Sequence, residues 1–170
     1  MTNMSIEELK IRAKKLQKSA LAGDPAALKR LRRVWKGEGE LKRKLCLNAI
    51  GMELGFRDWA HARDVLEGTA TGEANRGTFW YSNRCMPFLN HWFADYQEAK
   101  VFLLRNQGYT LVPYKTQFVV VEDDFLEAIN LNEECDALWQ EIHHDAVHGY
   151  GTPAWQALVY RRISHLRDAP

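Results

Sequence analysis

The sequence predicts an α+β fold: a four-helix N-terminal module, then a small antiparallel sheet with helices on one face. Three observations predict it. Apolar residues recur at helical spacing through the first part of the chain. The later part mixes β-prone runs with capped helices. Between them, residues 68–77 read GTATGEANRG, with no large apolar side chain to bury. Such a stretch reads as a linker or exposed loop. The predicted division is therefore a helical module over 1–68, a linker over 69–77 and an α+β domain over 78–170.

The first helix opens on Ser5 and Glu8, the spacing of a capping box. Ile6, Leu9, Ala13, Leu16 and Ala20 follow on one face until Gly23. Asp24-Pro25 starts the second helix as N-cap and first helical position. Its apolar face is Leu28, Leu31, Val34 and Trp35, and Gly37 and Gly39 break it. The third runs from about Leu41 to Leu54, with Gly55 ending it. Asp58 caps a fourth, with Trp59, Ala62, Val65 and Leu66 inward.

The second half reads β-α-β-β-α-α-α. Thr78-Phe79-Trp80-Tyr81-Ser82 is β-prone. Asp95 and Glu98 start a helix that Gly108 closes. YTLVPY and QFVVVE make two strands around Lys115-Thr116, and Pro113 confines the first to an edge or a strand end. Asp123 caps a short helix and Asn132 the next. Thr152-Pro153 opens the last, which reaches about Leu166.

Composition narrows the function classes. The 170 residues include 6 Trp, 6 Tyr and 7 Phe, ample core material that argues against disorder. No apolar run approaches the roughly 20 residues of a membrane span. Cys46, Cys85 and Cys135 form an odd set without CxxC spacing, neither a disulfide framework nor a zinc finger. With no signal-peptide pattern at the N-terminus, the expectation is a cytoplasmic protein with reduced thiols and no cofactor.

Charge is the informative quantity. The net charge is only +1. Residues 1–68, however, hold 15 Lys/Arg against 9 Asp/Glu, a net of +6, and residues 69–170 hold 8 against 13, a net of −5. The basic half could meet a polyanion, or the halves could attract each other within or between chains. Candidate contacts are Lys29, Arg30, Arg33, Lys36, Lys42, Arg43, Lys44, Arg57 and Arg63, since long cations at helical spacing can track phosphates.

LCLNAIGMELGFRDWAHARDVL resembles a helix-turn-helix, whose second helix could place Arg57, His61 and Arg63 in a major groove. Its apolar positions after the turn come about one residue early, so a plain helical hairpin fits the same letters. AGDPAALKRLRRV and LNAIGMELGFRDWAHARDVLEG together resemble a small helical module of bacterial proteins, often found ahead of ankyrin repeats. Gly23, Asp24, Pro25, Ala27, Leu28, Leu31, Leu54, Gly55, Phe56, Trp59 and Leu66 carry that resemblance over residues 14–68. It implies a modular, bacterial first half and transfers no catalytic residue.

Three further groups carry candidate chemistry. In EIHHDAVHGYG, His144 and His148 stand four apart, the spacing that puts two imidazoles on one helix face. Glu141, one turn earlier, could be a third metal ligand. Their face lies opposite the buried stripe of Cys135, Leu138, Trp139, Ile142 and Ala146, which argues against an enclosed metal. Trp80, Arg84, His91, Trp92 and Tyr96 could line a ligand pocket, with Arg76 and Arg84 orienting an anion. Core packing explains the same aromatics. Cys85 with His91 would need spatial contact to act as a nucleophile pair.

The expected function is a non-enzymatic binding module whose basic half contacts nucleic acid or an acidic protein. One alternative is dimerisation through the oppositely charged halves. The other is a metal-dependent hydrolase built on His144 and His148. No motif names a reaction.

Overall fold

The computed structural model describes residues 2–72 and 74–166. The chain builds α1 (Met4–Leu21), α2 (Pro25–Leu31), α3 (Arg43–Glu53) and α4 (Trp59–Leu66). It continues with β1 (His91–Phe93), α5 (Tyr96–Arg105), β2 (Thr110–Tyr114) and β3 (Gln117–Val121). The last helices are α6 (Asp123–Ala128), α7 (Asp136–Glu141) and α8 (Pro153–His165). The class is α+β, with one three-stranded antiparallel sheet in the order β1-β3-β2.

Local chemistry sets most of the ends. Asp24 accepts from the N–H groups of Ala26 and Ala27, with Pro25 at the first helical position. Asp58 Oδ1 accepts from His61 N–H at 2.8 Å, and Asp95 Oδ1 from Glu98 N–H at 3.0 Å. Thr152 caps α8 through Trp155 N–H. Each cap satisfies a donor that the helix itself leaves unpaired. Gly55 sits at φ +92°, and a Cβ there would fall 2.3 Å from Thr78 Oγ1. Only glycine lets the α3–α4 turn and Thr78 approach so closely.

Three starts differ from the expected ones; at one of them Asn132 precedes a 3-10 turn without capping it, and Cys135 is the N-cap residue of α7. Asn3, not Ser5, caps α1: its Oδ1 accepts from Ile6 N–H, while Ser5 lies buried inside the helix. Asn3 also donates through Nδ2 to the Leu66 carbonyl and to Gln156 Oε1. Asn caps as well as Ser does, and these tertiary bonds decide between them. Glu8 pairs with Arg12 instead. At α6, Glu122 is the N-cap residue and Asp123 lies in the first turn.

The expected strand over Thr78–Ser82 is a turn. Phe79 and Trp80 are neighbours in sequence, yet both are buried. A strand with one buried face cannot do that, because its side chains alternate. The third strand is β1, which pairs with β3 in the register His91↔Val120, Trp92↔Val119 and Phe93↔Phe118. Pro113 does sit in an edge strand, β2, which meets β3 across the two-residue turn Lys115-Thr116.

Both faces of the sheet are covered. Leu111 and Val120 pack with Ala99 of α5 in a small cluster. Val112, Val119 and Val121 face the main core. That core is continuous across residues 69–77, from Ile6, Leu9 and Leu31 to Trp139, Trp155 and Ile163.

Polar bonds cross the same seam. Arg12 donates to the Ile163 and Leu166 carbonyls at the end of α8. Arg162, by contrast, acts within the second half, donating to the carbonyls of Phe79, Tyr81 and Ile129. Gln156 donates to the Leu66 carbonyl. No described helix is long and apolar enough to cross a membrane.

Candidate functional site

The basic candidates divide by partner. Arg30 grips Glu53 with two hydrogen bonds of 2.9 Å. Arg57 pairs with Asp58 and Arg63 with Asp64. Arg43 donates to Gln17 Oε1, a neutral acceptor, at 2.7 Å. Lys29, Arg33, Lys36, Lys42 and Lys44 are exposed and have no carboxylate partner among the described residues, and Arg32 shares that state.

These six cations occupy α2, the loop after it and the first turn of α3. Lys42 is the N-cap residue of α3 and offers no side-chain cap, and no acidic residue stands in that first turn. Three cations thus crowd the positive end of a helix dipole, which is unfavourable without an anion nearby.

Six ion pairs between described residues are Lys10–Glu7, Arg12–Glu8, Arg30–Glu53, Arg57–Asp58, Arg63–Asp64 and Arg161–Glu134. Each joins partners on the same side of residue 68. The bonds named above that tie the halves end on neutral acceptors.

The helix-turn-helix reading placed His61 outward. The structure instead has His61 Nδ1 accepting from Arg57 N–H at 3.1 Å, which leaves Nε2–H to donate to the Asn75 carbonyl at 2.6 Å. Segment 69–77 therefore docks on this side of α4.

The histidines do not share a helix face. α7 ends at Glu141, and His143 and His144 hold positive φ values of 56° and 55°. The cause is Asp145, which is 2% exposed. Its Oδ1 accepts from the N–H groups of Val147 and His148, each at 2.9 Å. Its Oδ2 accepts from the Tyr96 hydroxyl at 2.7 Å. Burial, then the Asp145 carboxylate, pushes the Tyr96 hydroxyl well above the usual phenol range.

This tight turn lets 144–146 bridge to Leu111 of β2: Leu111 N–H donates to the His144 carbonyl and Ala146 N–H to the Leu111 carbonyl. His144 Nδ1 lies 3.2 Å from Thr110 Oγ1, and the His148 ring packs on His143. Among the described residues, no group of three or more His, Cys, Asp or Glu is arranged to hold a metal ion. Cys46, Cys85 and Cys135 are buried and unpaired, and burial raises each thiol. Raised, buried thiols are poor nucleophiles.

The aromatic candidates also separate. Trp80 and Tyr96 line a cavity of about 450 Å³ together with Arg76. Arg84, His91 and Trp92 do not reach it. Arg84 is exposed, His91 packs on Phe102, and Trp92 is 45% exposed against Tyr114. Sequence reasoning missed other parts of the cavity wall, among them Lys115, Phe118, Tyr150 and Trp155. The signal for Lys115 was its place in a two-residue hairpin turn, where a side chain is free to project from the sheet. No family model, curated protein or solved structure matches the chain.

Proposed function

We propose that the protein is a cytoplasmic binding module whose α2–α3 surface contacts the phosphate backbone of a nucleic acid. The observation that carries this reading is the set Lys29, Arg32, Arg33, Lys36, Lys42 and Lys44, exposed and without carboxylate partners among the described residues. These cations lie on α2, the loop after it and the start of α3. Unpaired lysine and arginine bind phosphate without reading sequence. Three buried, unpaired cysteines suit a reducing compartment.

The test uses the full chain, because the main core runs through both halves. Fluorescence anisotropy with duplex DNA and with single-stranded RNA is read at about 50 and 200 mM salt. Six phosphate contacts give a slope of log K against log salt near −5, about −0.9 per phosphate for a duplex. Changing Lys29, Arg33, Lys36 and Lys44 together to Gln reduces that slope by about one per residue removed. No association with either polymer at the lower salt removes the proposal. So does binding that the quadruple variant leaves unchanged.

A further inference from the structure

We infer that the cavity beneath segment 69–77 binds a small planar molecule, an aromatic ring bearing one oxyanion, either carboxylate or phosphate. The volume of about 450 Å³ falls within the range of about 300–1,000 Å³ typical of small-molecule sites. The inference is independent of the nucleic-acid surface, since none of the cations on that surface lines this cavity.

Three features of the wall define the ligand. The first is aromatic. Trp155 packs edge-on against Tyr150 with ring centroids 4.8 Å apart, and Trp80 stands 6.2 Å from Trp155. Phe118 and Tyr96 lie 5.6 Å apart on the sheet side. The Tyr96 hydroxyl is committed to Asp145, so what that residue offers is its ring. A planar ring slots between such faces by stacking and edge contacts.

The second feature is a pair of cations held side by side. Arg76 N–H donates to the Lys115 carbonyl at 2.9 Å, and Lys115 N–H donates to the Gly77 carbonyl at 2.7 Å. These two backbone bonds lock segment 69–77 to the β2–β3 turn and bring both positive residues to the same rim. The Arg76 guanidinium lies 4.2 Å from the centre of the Tyr150 ring. Neither cation pairs with a carboxylate among the described residues. Asp95 is the carboxylate of the described wall, and it already caps α5 through Glu98 N–H. The Lys115 ammonium lies 5.5 Å from the centre of the Tyr114 ring, and an anion at this rim is attracted by both charges.

The third feature is an unmade hydrogen bond. Trp155 is 1% exposed, and its indole N–H has no acceptor among the described residues. Buried donors in native proteins are nearly always paired. Trp155 lines the cavity, so a ligand held there lies beside this donor.

The experiment is an NMR titration of the full chain with four probes: 2-naphthoate, 2-naphthyl phosphate, 2-naphthamide and cyclohexanecarboxylate. The six tryptophans give separate indole N–H signals, and Trp155→Phe assigns the one that matters. At least one of the two aromatic anions shifts the Trp155 signal with a Kd below about 1 mM. Which of the two binds more tightly distinguishes carboxylate from phosphate as the natural group. The amide and the aliphatic acid bind at least about tenfold more weakly, since each lacks one of the recognised features. Arg76→Gln and Lys115→Gln each weaken the anion by about tenfold and leave the amide unchanged. The inference is overturned if neither aromatic anion moves the Trp155 signal, if 2-naphthamide binds equally well, or if both cation variants keep full affinity. The Lys29, Arg33, Lys36 and Lys44 quadruple variant binds the probes like the parent chain, which separates this site from the nucleic-acid surface.

Discussion

Arg12 at the seam between the two halves and Arg162 in the core of the second half carry the same charge as Lys29, Arg32, Arg33, Lys36, Lys42 and Lys44 on the α2–α3 surface, in opposite surroundings. Arg162 is 4% exposed and donates to three carbonyls. Burial draws its guanidinium down to about 10, so it remains charged at neutral pH. Arg12 reaches two carbonyls near the C-terminal end of α8, where a cation also suits the helix dipole. Among the described residues, the surface cations have no such acceptors. Counting charge by sequence gives every cation equal weight; the acceptors around each decide whether it holds the fold or waits for a partner.

Removing the buried guanidinium gives the largest expected effect. Arg162→Met leaves the Phe79, Tyr81 and Ile129 carbonyls without their donors in a buried setting. Each unsatisfied group costs about 1–3 kcal/mol, and removing the buried charge offsets part of the sum, so the net loss is about 3 kcal/mol. Urea unfolding reads it as a lower midpoint with an unchanged slope. Arg162→Lys falls between, because one ammonium cannot span three carbonyls in the guanidinium's geometry. A loss under about 1 kcal/mol for Met contradicts a stapling role.

Arg12→Met breaks the seam between the halves, with a smaller effect. The Arg12 side chain is 15% exposed, and the carbonyls it releases belong to the last turn of α8. Water can reach part of that turn, so about 1–2 kcal/mol is expected. If Arg12→Met costs more than Arg162→Met in the same unfolding assay, the contact between the halves holds the fold more than the buried guanidinium inside the second half does.

The sequence revealed what neighbouring residues decide. Asp24-Pro25, Asp58, Asp95 with Glu98, and Thr152-Pro153 mark helix starts, since each cap reaches an N–H two or three residues onward. Pro113 placed β2 at an edge for an equally local reason, its missing N–H. Long-range bonds hid the rest. Strand β1 is three residues long and exists through its pairing with β3. α7 stops at Glu141, and the turn beyond it holds Asp145, whose partner Tyr96 is 49 positions away.

The same divide runs through the candidate sites. The composition of segment 69–77 correctly indicates that it buries little apolar surface. It is silent on the backbone bonds that make the segment a wall of the cavity. Trp80, Tyr96 and Arg76 were therefore recognisable as ligand candidates. Lys115, Tyr150 and Trp155 were not, because the fold alone brings them to the same place.

A cap inside the basic half tests the comparison with pH. The His61 N–H, then Arg57, holds the Asp58 carboxyl below its ordinary value of 3.8. A carboxylate depressed in the folded state stabilises the fold at pH above the unfolded value, and that contribution disappears as pH falls through the folded value. Asp58→Ala therefore costs about 1 kcal/mol near neutral pH and less in acid. Asp58→Asn keeps a capping oxygen with no titration, so the difference between parent and Asn variant shrinks below pH about 4. A difference that stays constant through that range means the cap does not depend on ionisation.

The smallest expected effect on stability separates the two sets of cations most sharply. Lys29, Arg33, Lys36 and Lys44 touch no carboxylate among the described residues, so changing each to Gln moves stability by no more than about 0.5 kcal/mol. Near the start of α3, removing Lys44 relieves repulsion with the helix dipole, and the four changes together leave the unfolding midpoint level or slightly higher. The same variant loses its salt-dependent association with nucleic acid. That combination cannot arise from a folding defect, because a destabilised chain loses both properties together. A marked fall in the unfolding midpoint would place these cations with Arg12 and Arg162 as parts of the fold.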